Sequence, residues 1–302
     1  CNDGETKCRR FAREIAGEHA IDFVVLDIGE PEDLRGTLLL ASKLRSLAPG
    51  LRLVAVGGFA ARYAETVLRI TNAFDCVGTL DADWSLARWA ERLDRPDMWR
   101  LIPNLVYAQH GYIRATEECV GLDMDSLPAP AYDEETYPAL AGNEKLLLLG
   151  VEVSRVNPAG PEARTRCARV VCDEAIQLMH AFGTRAFRFV GPESPVSHVD
   201  ALAYEILSRG HSMWYSRTGT IREARLQSFA ALKSSGCQSI AFDVCSGSQM
   251  LLDDFYGRGI GISDTEQLLR ASKLSGIFTV AGFTYPCAAD DYHSRSETLR
   301  LV

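Results

Sequence analysis

Apolar residues in the first third of the chain fall into two alternating rhythms. Short continuous runs, "IDFVVLDIG" (21–29), "LRLVAVGG" (51–58) and "FDCVGTL" (74–80), are separated by segments with apolar residues every three or four positions. Those segments are "CRRFAREIAGEHA" (8–20), "EPEDLRGTLLLASKLRSLAP" (30–49), "AARYAETVLRITNA" (60–73) and "DADWSLARWAERLD" (81–94). A short unbroken apolar run fits a strand buried on both faces of a parallel sheet, and the three-to-four spacing fits a helix with one buried side. Strands alternating with helices of this length predict a doubly wound parallel sheet. Ligands bind such sheets beyond the carboxyl ends of the strands. Here those ends are Asp27 to Gly29, Gly57 to Phe59 and Thr79 to Asp83.

Residues 96–143 break the rhythm. "IPNLVYAQHGYI" reads as a hairpin turning at Gly111, and "LDMDSLPAPAYDEETYPAL" as an ordered linker with almost no periodicity. Alternation resumes with a strand over 145–154 and a helix over 166–182. Strand "RAFRFVG", a helix over 197–209, strand "HSMWYS" and a helix over 221–235 follow. Strand "QSIAFDV", a helix over 263–275, strand "IFTVAGF" and a helix starting near 294 complete the series. Five strand–helix units predict a partial (β/α) barrel with its chemistry at the carboxyl strand ends, an open sheet being the alternative. The expected organisation is an α/β protein with a Rossmann-like domain over 1–95, a linker over 96–143 and a partial barrel over 144–302. Neither half carries a G-x-x-x-x-G-K-[ST] or G-x-G-x-x-G loop, so no nucleotide-phosphate cradle is indicated.

Composition narrows the partners. The 302 residues, 47% hydrophobic and 24% charged, suffice for one large core or two smaller ones. The net charge is −8 with acids and bases interspersed, which speaks against a nucleic-acid partner. No apolar stretch approaches the roughly 20 residues that span a bilayer, so no membrane partner is expected. The nine cysteines include no C-x-x-C pair and read as reduced thiols of a cytoplasmic protein. The six histidines form no metal-spaced group. The chain starts at Cys1 and stops inside the helical pattern "ETLRLV", as a segment of a longer protein would.

Several segments carry a resemblance that composition does not. "IDFVVLDIGEPEDLRGTLLLASKLRSLAPGLRLVAVGGFAA", "FDCVGTLDAD", "IPNLVY" and above all the linker "LDMDSLPAPAYD" resemble the cobalamin-binding radical S-adenosylmethionine (SAM) family. That family joins a B12-binding Rossmann domain to a radical SAM barrel. "SRVNP" stands where the family opens its C-x-x-x-C-x-x-C motif, and the three cluster cysteines fall on Asn157, Pro161 and Arg164. Thiolates hold the irons of such clusters, and these three side chains supply none, so no iron–sulfur cluster is expected. Leu80, Asp81, Ala82 and Asp83 replace the family's Gly-Glu-Gly-Glu. Cys245 in "VCSGSQ" replaces its Glu, and the Gly-Glu pair is gone from "AGFTYPCAADD".

The resemblance implies two cofactor sites. Cobalamin would lie over Asp27, Gly57, Gly58, Asp81 and Asp83, and SAM would meet Glu193, Arg217 and Ser246. Plain alternatives stand beside each: a strand-to-helix turn at Gly57-Gly58, dipole-favoured acids at the start of a helix for Asp81 and Asp83, and solvated strand-end charges at Glu193 and Arg217. Two functions follow. One is a degenerate family member acting as partner or auxiliary subunit of an active relative or its substrate carrier. The other is a cobalamin- and SAM-dependent methyltransferase that uses polar chemistry.

Overall fold

The computed structural model describes residues 2–17, 21–80, 82–119, 123–133, 148–156, 163–222 and 228–302. Packing divides the chain into two units, residues 1–122 and 123–302. Among the described residues no helix is long and apolar enough to cross a membrane.

The first unit runs α1 (Asn2–Gly17), β1 (Phe23–Asp27), α2 (Asp33–Leu47), β2 (Arg52–Val56), α3 (Gly58–Arg62), α4 (Ala64–Ile70), β3 (Cys76–Gly78) and α5 (Ala82–Ala90), then a 3₁₀ turn Pro96–Leu101 and the hairpin β4 (Leu105–Gln109) and β5 (Tyr112–Ala115). Its sheet has the order β1-β2-β3-β4-β5, parallel through the first three strands and antiparallel beyond. Alternation along the strands builds two cores. Leu53, Ala55, Val77 and Val106 pack against α1 to α4 on one face. Val54, Cys76, Leu105 and Tyr107 pack against Trp89 and Trp99 on the other.

Two details depart from the pattern in the sequence. β1 is an edge strand, and its Val25 is exposed. The single helix expected over 60–73 is two, α3 and α4, separated at Tyr63. Tyr63 leaves helical geometry at φ −118°, and its ring packs on Phe59. The hairpin at 102–113 is no appendage; it completes the sheet through pairing of β3 with β4.

The second unit runs β6 (Leu148–Glu152), β7 (Ser154–Arg155), β8 (Arg164–Thr165), α6 (Ala168–Phe182), β9 (Ala186–Val190), α7 (Val196–Ser208), β10 (Trp214–Thr218), α8 (Phe229–Ser234), β11 (Cys237–Cys245), α9 (Ile262–Leu274), β12 (Phe278–Phe283) and α10 (Tyr292–Leu301). A π-helical turn, Leu251–Phe255, lies between β11 and α9. The main sheet is parallel throughout, in the order β12-β11-β10-β9-β6, as a partial (β/α) barrel requires.

Among the described residues only one face of this sheet is covered. Leu149, Val151, Phe187, Phe189, Tyr215, Ile240 and Phe242 pack against residues of α6, α7, α8 and α9. The opposite face leaves Leu148, Val190, Trp214, Phe278 and Val280 exposed.

Linker residues 123–133 belong to this second unit. Asp123 caps a 3₁₀ turn at 124–126, and the Asp125 carboxylate accepts the Cys167 N–H at 2.8 Å, ahead of α6. Tyr132 donates its hydroxyl to the Gly150 carbonyl at 2.9 Å, at the edge strand β6. A polar plug of this kind satisfies an edge carbonyl that would otherwise face solvent or another chain. Asp123, Asp125 and Tyr132 of "LDMDSLPAPAYD" therefore have structural work within one unit.

All eight described cysteines are free thiols, and Cys119 and Cys167 are exposed rather than buried.

Candidate functional site

At the carboxyl ends of β1 and β2 three glycines, Gly29, Gly57 and Gly58, meet. Gly57 has φ +103°, and a Cβ there would strike the Asp27 carboxylate and lie 2.6 Å from the Ile28 carbonyl carbon and oxygen. Only glycine fits that conformation and that approach. The turn is locked by backbone bonds from Phe59 N to the Gly29 carbonyl (3.0 Å) and from Ala60 N to the Ile28 carbonyl (3.1 Å). Gly58 differs, since a Cβ there would meet only the Gly29 carbonyl, at 3.4 Å. The structure thus brings Asp27, Gly57 and Gly58 together, with the Asp27 carboxylate seated against the Gly57 backbone. Asp83 stands exposed in the first turn of α5, and Asp81 lies outside the described residues.

The second unit assembles a denser polar group at its strand ends. Arg258 is its centre. The guanidinium contacts Asp243 through Nη2, and donates to the Cys245 thiol from Nη2 at 2.9 Å and from Nε at 3.3 Å. Its Nη1 approaches Glu193 Oε1 to 3.9 Å, too far for a hydrogen bond. Cys245 in turn donates its thiol hydrogen to Asp243 at 3.4 Å.

Local backbone explains how Arg258 gets there. The π-helical turn ends just before it, its N–H bonds back to the Leu252 carbonyl at 2.8 Å, and Gly257 and Gly259 on either side take φ of 58° and 60°. Cys245 also has positive φ, 67°, beside a register shift between β11 and β12.

Electrostatics follow from burial. Desolvation raises the Glu193 carboxyl above its ordinary range, against the lowering effects of Arg258 and of the Ile221 backbone N–H. Its Oε1 is buried and accepts no hydrogen bond. Burial likewise raises the Cys245 thiol, offset in part by Arg258, so the thiol stays protonated and acts as a donor to Asp243.

Arg217 and Ser246 sit differently from Glu193. Arg217 aligns with Phe189 and Ile240 on the helix-covered face of the sheet, and its Nε donates to the Thr218 carbonyl at 2.9 Å. Ser246 is buried; its Oγ lies 3.3 Å from Thr298 Oγ1 and accepts the Ser248 N–H at 3.1 Å, tying the β11 loop to α10. Glu193, Arg217 and Ser246 are therefore not one constellation.

Of the three positions onto which the sequence resemblance lays cluster cysteines, Asn157 and Pro161 lie outside the described residues. Arg164 pairs with Arg155 across the β7–β8 ribbon, and Arg155 forks onto Glu152 at 2.6 and 2.8 Å.

Sequence reasoning missed Arg258. A signal was present in "YGRGIG", where glycines flank a single cation after a motif segment.

No protein-family model and no curated protein matches the chain. Solved structures do, over 97% of its length, and all those named here are cobalamin-dependent or radical SAM enzymes. The chain thus has the fold of that class, a Rossmann-like unit followed by a partial barrel. One neighbour is the cobalamin-dependent SAM radical enzyme OxsB with aqua-cobalamin bound, at TM-score 0.74 and 13% identity. Another is the radical SAM methyltransferase TsrM from Kitasatospora setae, solved with tryptophan and a SAM analog (TM-score 0.70, 14% identity). A further TsrM structure, with cobalamin and a [4Fe-4S] cluster, matches at TM-score 0.72 and 14% identity. The chain spans 45% of the OxsB chain and 62% and 63% of the two TsrM chains.

Proposed function

We propose that this chain is a cobalamin- and SAM-binding member of that fold class that generates no radical and serves as partner or auxiliary subunit of an active enzyme. One observation carries the reading: the stretch from Arg155 to Arg166 holds no cysteine, and the position of the third cluster ligand is Arg164, in a ribbon opposite Arg155. A cluster needs thiolates, and neither arginine supplies one.

The residues present fit both cofactors by different means. Gly58, where a Cβ would meet only the Gly29 carbonyl, leaves backbone open to a ligand beside the Gly57 turn, and Asp27 is at hand there; Asp83 at the start of α5 is the further candidate, and the expected Asp81 lies outside the described residues. Glu193 Oε1, buried and without a donor, fits the ammonium of SAM, with Ser246 holding the loop beneath and Arg217 bracing β10 from its covered face. SAM bound there supplies an electrophilic methyl group.

The test is anaerobic reconstitution with iron and sulfide, followed by metal analysis and pull-down from the native host. Near-zero iron together with stoichiometric co-purification of a protein supports the proposal. Stoichiometric iron overturns it.

The unpartnered Glu193 oxygen favours a second reading, a cobalamin- and SAM-dependent methyltransferase working by polar chemistry. Methylated product formed by the isolated chain, with no iron bound, would select that reading.

A further inference from the structure

We infer that Arg188, Ser216 and Ser239 form a row of hydrogen-bond donors that holds the carboxylate of a small aromatic acid on the uncovered face of the second sheet. The inference goes beyond the cofactor reading above and uses none of its residues, since the row crosses the middle of β9 and β10 and not the carboxyl ends of the strands.

Register brings the three together. Arg188 of β9 pairs with Ser216 of β10, and Ser216 pairs with Ser239 of β11. On the outer flanks Arg188 pairs with Gly150 of β6, and Ser239 with Phe278 of β12. Neighbouring strands lie about 4.8 Å apart, and successive side chains along a strand alternate between the two faces. The residues that follow in each strand, Val151, Phe189, Arg217 and Ile240, are buried on the helix-covered side, so the row faces the other way.

Charge on this face does not balance without a ligand. Its two acids among the described residues are already matched, Glu152 by the Arg155 fork and Asp243 by Arg258. Arg188 is exposed, and neither its side chain nor the hydroxyls of Ser216 and Ser239 has a hydrogen bond or ion pair among the described residues. A guanidinium with two hydroxyls beside it offers several donors and one positive charge. That set fits a monoanionic carboxylate, which takes two parallel bonds from an arginine, better than a phosphate dianion.

The neighbours of the row indicate what carries the carboxylate. Trp214 stands two residues before Ser216, on the same face, and is 51% exposed. Phe278, also exposed, ends the row beyond Ser239. Between these rings the floor is low, with serines at 216 and 239, and Gly150 adds no side chain on the far flank of Arg188. Two aromatic side chains beside a shallow floor suit a flat apolar body, which stacks or packs edge-on against them.

Ligand-observed NMR titration of the intact chain tests this with three probes: 3-phenylpropionate, its neutral amide 3-phenylpropionamide, and phenyl phosphate. The wild type should bind the acid about ten- to hundredfold more tightly than the amide, the range of a hydrogen bond to a charged group. Phenyl phosphate should bind more weakly than the acid. Arg188→Gln should remove the preference for the acid while leaving the amide unchanged, and Arg188→Lys should restore part of it. Ser216→Ala should weaken the acid several-fold, and it serves should Arg188→Gln fail to fold. Equal wild-type affinity for acid and amide overturns the inference, as does no binding of the acid or a preference that survives Arg188→Gln. Tighter binding of phenyl phosphate than of the acid overturns the carboxylate assignment. Uptake of SAM or cobalamin is measured separately and does not depend on any of these outcomes.

Discussion

The two sheets of this protein solve different problems. The first is buried on both faces, with separate cores at Leu53–Ala55–Val77 and at Val54–Cys76–Tyr107, and a hairpin extends one edge. Among the described residues the second is packed on one face only, and its other face leaves Leu148, Val190, Trp214, Phe278 and Val280 exposed. Stability in the second unit is therefore carried by one layer of side chains. Its open face is free of that duty and can be shaped for ligands or for other chain segments, as barrel interiors are.

The sharpest way to break this comparison is a pair of phenylalanines. Phe187 is fully buried on the covered face, and Phe278 is 71% exposed on the open one. Phe187→Ala should cost about 3–5 kcal/mol, the usual loss for a core phenylalanine. Phe278→Ala should change stability by no more than about 0.5 kcal/mol. Chemical denaturation of both variants measures the contrast. A loss at Phe278 comparable to that at Phe187 would mean that the second face is covered in solution.

A glycine pair sharpens the same point in the first unit. Gly57→Val combines positive φ with contact against Ile28 backbone, and should cost about 2–4 kcal/mol of strain and overpacking. Gly58→Ala has room for its Cβ, so its unfolding transition should stay within about 1 kcal/mol of wild type. If cobalamin uses this floor, Gly58→Leu should fold and lose corrinoid uptake in dialysis. Gly57→Val folding normally would show that the Asp27–Ile28 turn is not what fixes the glycine.

A smaller effect belongs to the linker. Tyr132→Phe removes the hydroxyl that satisfies the Gly150 carbonyl and keeps the ring against Phe182. The expected loss is about 0.5–1.5 kcal/mol. Hydrogen exchange should quicken along β6 before it quickens elsewhere in the sheet.

Much of the fold was legible because burial on two faces writes a continuous apolar run. "LRLVAVGG" became β2 with Leu53, Val54 and Ala55 all buried. The same rule overstated β1, whose Val25 is apolar yet exposed, since sequence does not say which strand lies at an edge. The break at Tyr63 went unread because "AARYAETVLRITNA" keeps helical spacing through it. Gly57 was legible as a turn, and the structure adds that Asp27 and Ile28 fill the space its side chain would need. Arg258 was not legible by resemblance, since attention to lost motif residues such as the Glu at Cys245 passes over a cation 13 residues further on. Only the folded loop brings the two together.

The pH profile of stability tests the polar group with the smallest expected effect, and its two halves have opposite signs. Glu193 has its carboxyl raised by burial, so the native state holds the proton where the unfolded chain has released it. Stability from this group is fully present below about pH 4.3, the unfolded glutamate value, and is lost as pH rises through the raised native value. His198 is shifted the other way: burial lowers it, although its bond to the Arg166 carbonyl at 2.7 Å opposes the change. Its contribution is present above about pH 6.5, the unfolded histidine value, and is lost as pH falls through the lowered native value. Glu193→Gln should flatten the loss that begins above pH 4.3 and leave the histidine limb in place. His198→Gln should do the reverse. Denaturation midpoints collected from about pH 4 to 8 resolve the two limbs, and a Glu193→Gln profile superimposable on wild type would show that Glu193 titrates alike in the folded and unfolded chains.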